Sequence, residues 1–370
     1  MENLAIERAK KLFKVPHVNV QPYSGSPANL AVYIAVCKPG DTVMGQSLPD
    51  GGHLTHGWKA SATAMFYNPV QYHVKSDGYL DIEEIERMAI EHKPKLIWIG
   101  ATAYVREFPF EQLGKIADRV GAYLAADTSH ISGLIIAGAH KSPVEYAHII
   151  TTTTHKTLRG PRGAMIMVTA KGLKKDPDLA KKIDQAVFPG LQGGPHLHTI
   201  AGIAVSLRQA QGKPFKKYAI QTVKNAQTLA KYFIEKGLDV VSGGTDKHLV
   251  LIDLRKNNTN GWVVAWALEK AGIIVNRNTV PNESATPFYP SGLRMGTPAL
   301  TVRGMKEKEM KIIGAWICKV IGEYSGISIP ADKAERKKFI VDFYKKIGKD
   351  KLLKNINSQV KSLCSKFSTP

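Results

Sequence analysis

Lys95-Leu96-Ile97-Trp98-Ile99, then Ala122-Tyr123-Leu124-Ala125-Ala126, then His148-Ile149-Ile150-Thr151 are short apolar runs, separated by stretches of helical period at Leu80 to His92 and Phe110 to Val120. Runs this short and this apolar suit strands buried on both faces. Their alternation with helices predicts an α/β fold, a mostly parallel sheet between two helical layers. Further along, Gly190-Leu191-Gln192-Gly193-Gly194-Pro195 precedes a helical pattern from about Thr199 to Gln211. Beyond it, strands at Val250 to Leu254 and Ile273 to Val275, with a helix near Trp262 to Ala271, predict a smaller α+β domain. The expected division is a large domain over 1–208 and a small one, with a basic helical tail, over 209–370.

Composition sets the outer limits. The chain has 370 residues, 44% hydrophobic and 22% charged, which is enough for two or three domains and excludes disorder as its main character. Cys37, Cys318 and Cys364 are far apart and at no metal-ligand spacing, as expected of thiols in a reducing compartment. No run of about 18 apolar residues occurs and the N-terminus has no signal-peptide core, so a soluble cytoplasmic chain is expected, without a membrane partner. The formal net charge is +20, and Arg303 onward holds 16 Lys/Arg against 7 Asp/Glu. This excess is read as either a solvated helical face or a surface for an anionic partner. No RNA-recognition motif is present, so nucleic acid is not the expected partner.

In parallel sheets, ligands sit at the carboxyl ends of strands. Two such ends carry polar residues of interest: Asp127 after Tyr123 to Ala126, and Lys156 after Ile149 to His155. Separately, each has an ordinary reading, a helix N-cap and a solvated lysine. Together they provide what pyridoxal phosphate requires, an amine for the Schiff base and a carboxylate for the pyridinium nitrogen. Upstream, Tyr23-Ser24-Gly25-Ser26-Pro27-Ala28-Asn29 opens an apolar helix from Leu30 to Val36, and hydroxyls with N–H groups at a helix N-terminus make an anion site. Gly190 to Gly194 is either a second contact for that anion or only a tight turn. His53 and His56 in Gly51 to Gly57 suggest zinc, but no third ligand stands at recognisable spacing; an imidazole stacked on a flat cofactor is preferred, and no metal is expected.

These strings resemble the serine hydroxymethyltransferase family. The match is carried by Asn19 to Ser26, Gly51 to Gly57, Asp127-Thr128-Ser129-His130-Ile131-Ser132-Gly133-Leu134, Thr151 to Gly163, Phe188 to Pro195 and Ser291 to Ala299, in family order to about Gly304. The resemblance implies a fold-type I, aspartate-aminotransferase-like enzyme that moves the hydroxymethyl group of L-serine to tetrahydrofolate, giving glycine and 5,10-methylenetetrahydrofolate. It implies Lys156 as the Schiff-base lysine, Asp127 on the pyridine nitrogen, His53 stacked on the ring, and Ser129 and His130 near its phenolic oxygen. Ser24, Gly25 and Ser26 would hold the phosphate, with Gly193 and Gly194 supplied by the partner of a homodimer. Arg294 would bind the substrate carboxylate, His155 would tune reaction specificity, and Thr153 and Arg162 would support the lysine's geometry. Leu48, Gly52, Leu54, Asn278, Thr286, Pro287 and Phe288 align with the region that receives folate.

The family also carries several dozen residues ahead of the helix that Met1 to Lys10 resembles, including a proton-transfer glutamate, and no residue here is assigned that role. The sequence is therefore expected to be a fragment, to receive that segment from a second polypeptide, or to bind the cofactor with impaired activity. Folate-independent aldol cleavage of β-hydroxy amino acids is the alternative reaction. The lysine-rich tail after about Ser325 is expected to exceed the family pattern.

Overall fold

The apolar runs become the middle of a seven-stranded sheet in a computed structural model that describes residues 1–369. Its strands are β1 (His17–Asn19), β2 (Thr42–Gln46), β3 (Asn68–Tyr72), β4 (Leu96–Ile99), β5 (Tyr123–Asp127), β6 (Ile149–Thr153) and β7 (Ala164–Val168), in the order β1-β7-β6-β5-β4-β2-β3. From β6 to β3 every pairing is parallel, while β7 runs antiparallel to both β6 and β1. Each residue of β4, β5, β6 and β7 is buried, as a strand covered on both faces must be.

Helices α1 (Glu2–Phe13) and α2 (Gly25–Val36) open the chain. α2 places Ala28, Ala31, Val32 and Tyr33 against Trp98, Ile149 and Ile166 of the sheet and Leu179 and Ile183 of the helix Leu179–Val187. The helix Ile82–His92 begins where the Asp81 carboxylate accepts from Glu84 N at 3.1 Å, and Phe110–Val120 ends at the left-handed Gly121. The parallel strands thus direct their carboxyl ends, and the loops that leave them, to one edge of the sheet.

The chain divides into two compact units, residues 1–75 with 79–220 and residues 76–78 with 221–369. The division falls inside the helix Lys213–Glu235, whose first turns bury Phe215 and Tyr218 within the first unit, where Arg159 lies 4.7 Å over the Tyr218 ring.

The second unit holds an antiparallel sheet of β8 (Asp239–Val240), β9 (Leu249–Asp253), β10 (Asn276–Asn278) and β11 (Gly292–Gly296), ordered β10-β11-β9-β8. Ile273 to Val275, expected as a strand, instead crosses from the helix Gly261–Lys270 to β10. Gly272 takes a left-handed turn there and Ile274 is 85% exposed. The lysine-rich tail forms the helices Lys333–Lys349 and Lys351–Cys364, which send Phe343, Ile347, Leu353 and Ile356 into one core with Trp262, Leu268 and Ile317.

Truncating Phe343, 3% exposed among Trp262, Tyr324 and Phe339, is expected to cost about 3–5 kcal/mol in urea unfolding. A loss below about 1 kcal/mol would mean that the tail is not part of this core.

Candidate active site

Asp127 is the last residue of β5 and 9% exposed, and its carboxylate is met by three elements. Asn29 Nδ2 on α2 donates to Oδ2 at 2.8 Å, Ser129 N donates to Oδ1 at 3.0 Å, and His56 Nε2 lies 3.4 Å from Oδ2. Burial by itself would raise the pKa of this carboxyl. The hydrogen bond and charge of His56, with His53 and Lys156, outweigh burial and hold the group well below the usual carboxylate range. His56 is fully buried and stacks on Trp98 at 4.9 Å.

Lys156 stands in the loop after β6, half-buried, and its charge acts on Asp127, whose register partner on β6 is Thr151. The four threonines from Thr151 to Thr154 are buried, so this is no solvated run. Thr153 N donates to Ser129 Oγ at 3.0 Å, and Thr157 Oγ1 accepts from Gly133 N at 3.1 Å and donates to His130 O at 3.0 Å. These bonds tie the segment after β5 to the loop that carries the lysine. A Cβ on Gly133 would lie 2.3 Å from Thr157 O, so only glycine permits that approach.

The opening of α2 meets the same place. A Cβ on Gly25 would lie 2.8 Å from Thr153 Cγ2, and the N-cap Ser24 makes no side-chain hydrogen bond to its own helix among the described residues. Ser24 is half-buried and Ser26 exposed, so a hydroxyl and the first-turn N–H groups remain for an anion. The glycine-rich turn is tied in by Tyr23: its N–H donates to Gln192 Oε1 at 3.4 Å and its hydroxyl to Gly194 O at 2.7 Å. Gly193 and Gly194 are exposed with open space where a Cβ would stand. A cavity of about 480 Å³ lined by Ser26, Leu54, Thr55, Ser61, Leu191 and Gln192 joins these segments. A buried ionised carboxylate, an amine within its field and an anion cradle shaped by a missing Cβ fit a pyridoxal phosphate group.

His53 is half-buried, 5.6 Å from the His56 ring, and burial, then the His56 charge, lower its pKa to about 4. Burial, then Arg162 and Lys156, lower that of His155 to about 4 as well, and its Nδ1 is buried without a hydrogen-bond partner among the described residues. Both rings are neutral at pH 7. The donor atoms of His53, His56 and Asp127 all lie within 4.8 Å of one another, which brings Asp127 to the histidine pair as the third group that the sequence spacing did not show. Of the other first-unit candidates, Leu48 is half-buried, Gly52 is buried against Gln46 O, Leu54 is 48% exposed and Arg162 is exposed.

Arg294, Asn278, Thr286, Pro287 and Phe288 belong to the second unit. Arg294 on β11 pairs with Asn276 of β10, and Asn278 pairs with Gly292, so Asn278 and Arg294 share one face of the sheet. Burial lowers the pKa of Arg294. Glu283 accepts from Ala285 N, Ser291 N and Ser291 Oγ at 2.8 to 2.9 Å and so shapes the loop that exposes Thr286, Pro287 and Phe288.

Sequence reasoning passed over Asn29, Thr55 and Thr151 and gave His56 no role. One signal was available: Asn29 is a lone amide on the apolar, buried face of α2.

Comparison with known proteins follows the same residues. A family model described as serine hydroxymethyltransferase matches residues 1–317. The chain is 49% identical to a serine hydroxymethyltransferase of Desulfotalea psychrophila over 370 residues, all of this chain and 80% of that protein. It is 49% identical to that of Methanosarcina barkeri over 367 residues (99% and 82%) and 55% identical to that of Acidothermus cellulolyticus over 321 residues (86% and 74%). The similarity thus runs past Gly304, and in the first of these relatives it takes in the whole lysine-rich tail, which was expected to exceed the family pattern.

His53 and His155 imidazole resonances are expected to titrate near pH 4. An unfolded histidine binds its proton near pH 6.5, so the stability these two groups contribute is complete above that value and is lost as pH falls toward 4. Titration of both rings at the unfolded value would contradict their burial.

Proposed function

The chain belongs to the serine hydroxymethyltransferase family, and from that membership we propose that it transfers the hydroxymethyl group of L-serine to tetrahydrofolate, reversibly, with pyridoxal 5'-phosphate held between Lys156 and Asp127. The observation that carries this reading is the ionised carboxylate of Asp127, buried at a central strand end with the Lys156 amine in its field. When bound, the cofactor supplies an electron sink for the pair left on the substrate's Cα as the Cα–Cβ bond breaks.

The residues divide the remaining work. Lys156 Nζ would hold the cofactor's aldehyde carbon, and Asp127 would keep a proton on its ring nitrogen, since an anion facing that nitrogen stabilises its charged form. Ser24, Gly25, Ser26 and the first turn of α2 would hold the phosphate, joined by Gly193 and Gly194 across a homodimer. His53, neutral at pH 7, would cover the ring face without adding a positive charge beside the ring-nitrogen proton. Ser129 and His130 would take the phenolic side. His155, also neutral, would sit beside the lysine without repelling its protonated form, and Thr153 and Arg162 would hold that loop in place.

Arg294 would bind the substrate carboxylate through both guanidinium nitrogens; burial shifts its pKa down from a value so high that it stays a cation. Leu48, Gly52, Leu54, Asn278, Thr286, Pro287 and Phe288 are the proposed folate contacts. Exposed Leu54 and Phe288 offer apolar surface to a flat pteridine.

The test adds pyridoxal 5'-phosphate to the purified chain, records its visible absorbance, then supplies L-serine with and without tetrahydrofolate and measures glycine. Lys156→Ala is expected to lose the visible band, and Asp127→Asn to lower glycine formation by at least about 10²-fold. Glycine release that is equally fast without tetrahydrofolate would replace hydroxymethyl transfer with plain aldol cleavage.

A further inference from the structure

Resting on the reading of Asp127 as the group that faces the cofactor's ring nitrogen, we propose that Asn29 is the positioning residue of this site: its amide, turned by Thr151, fixes both the Asp127 carboxylate and the His53 ring. Asn29 is 1% exposed on α2, whose other buried residues include Ala28, Ala31, Val32 and Tyr33. Its amide is fully engaged. Nδ2 donates to Asp127 Oδ2 and to Thr55 Oγ1, each at 2.8 Å, and Oδ1 accepts from Thr151 Oγ1 at 2.7 Å.

The partners leave one orientation. An ionised carboxylate only accepts, so the NH₂ end must face Asp127, and the Thr151 hydroxyl, a donor here, holds the oxygen at the other end. Rotating the amide by half a turn would set its oxygen against the carboxylate and leave the hydroxyl without an acceptor, both buried. Thr151 is also the register partner of Asp127 across β5 and β6, so one helix and two strands close on a single residue pair.

The second branch reaches His53. Thr55 Oγ1 accepts from Asn29, so its own proton is directed to His53 Nδ1, 2.8 Å away, and Thr55 N donates to the same nitrogen at 3.3 Å. His53 Nδ1 is therefore the acceptor and the ring carries its proton on Nε2. The carboxylate of Asp127 faces His56 and His53 from the turn at 53–56, Lys156 from the loop after β6, Asn29 from α2 and Ser129 N from its own segment. The Asn29 amide and the Ser129 peptide N–H have no titrating proton, so they face the ionised carboxylate as donors whatever the charge of the other groups.

The test uses the full chain and three variants, Asn29→Ala, Thr151→Val and Thr151→Ser. In cofactor-free protein, the ¹³Cγ resonance of Asp127, assigned through Asp127→Asn, is followed against pH. The wild-type resonance is expected to stay at the carboxylate position down to acid unfolding. In Asn29→Ala it is expected to titrate at least about one unit higher, a tenfold change in proton affinity. Thr151→Val is expected to move the same way by less, and Thr151→Ser, which keeps the hydroxyl, to restore wild-type behaviour. With pyridoxal 5'-phosphate, equilibrium dialysis is expected to show about tenfold weaker binding to Asn29→Ala, the same factor carried over from the carboxylate's proton affinity.

An unmoved Asp127 titration in folded Asn29→Ala, or equal impairment in Thr151→Ser and Thr151→Val, would overturn the proposal. If Asn29→Ala fails to fold, the two Thr151 variants decide it alone. A wild-type chain that binds no cofactor while the Asp127 titration moves as stated would sink the functional reading and leave the role of Asn29 standing.

Discussion

An ionised carboxylate buried at the end of a central strand is the constraint around which the first unit is arranged. Removing such a charge from water costs several kcal/mol unless donors replace its hydration. Asp127 cannot find those donors locally beyond Ser129 N, so its other neighbours come from α2, about a hundred residues earlier in the chain, and from the turn at 53–56, about seventy residues earlier. The buried amide on α2, the fully buried His56 and the buried hydroxyl of Thr151 are consequences of that one requirement. Each would be a poor choice in an apolar core and is a good one beside a carboxylate.

The same edge of the sheet imposes a second constraint, the closeness of its loops. Parallel strands deliver the segments after β5 and β6 side by side, and the N-terminus of α2 is pressed against both. Gly25 and Gly133 stand where any Cβ would strike Thr153 or the Thr157 carbonyl. Close packing here brings a helix terminus with its first-turn N–H groups against the strand whose following loop carries the lysine.

The second unit follows a different logic. Its antiparallel sheet sets Arg294 and Asn278 on one face by register, and Glu283 shapes the exposed loop that follows β10. The basic tail is amphipathic: Phe343, Ile347, Leu353 and Ile356 are buried in the core of the unit, while most of its lysines face solvent. The positive charge is therefore a property of the outward face of helices that are otherwise structural.

The alternation of β4, β5 and β6 with the helices between them, the two strand ends bearing Asp127 and Lys156, and the glycine-serine opening of α2 were legible in the sequence, because each depends on local periodicity, turn chemistry or a short motif; the short strands at the sheet edges were not. Ile273 to Val275 misled for the same reason: three apolar residues in a row look like a strand, and only the left-handed Gly272 before them shows that they are a connection. His53, as a histidine between glycines, could be noticed, but not that burial keeps it neutral. Asn29, Thr55 and Thr151 could not be assigned, since their meaning lies in hydrogen bonds to residues far away in the chain. The sequence alone determined which chemical groups the chain possesses and which strand ends carry them. Only the tertiary structure decided which of those groups share a buried space, and in a medium of low polarity that neighbourhood sets each group's charge and orientation.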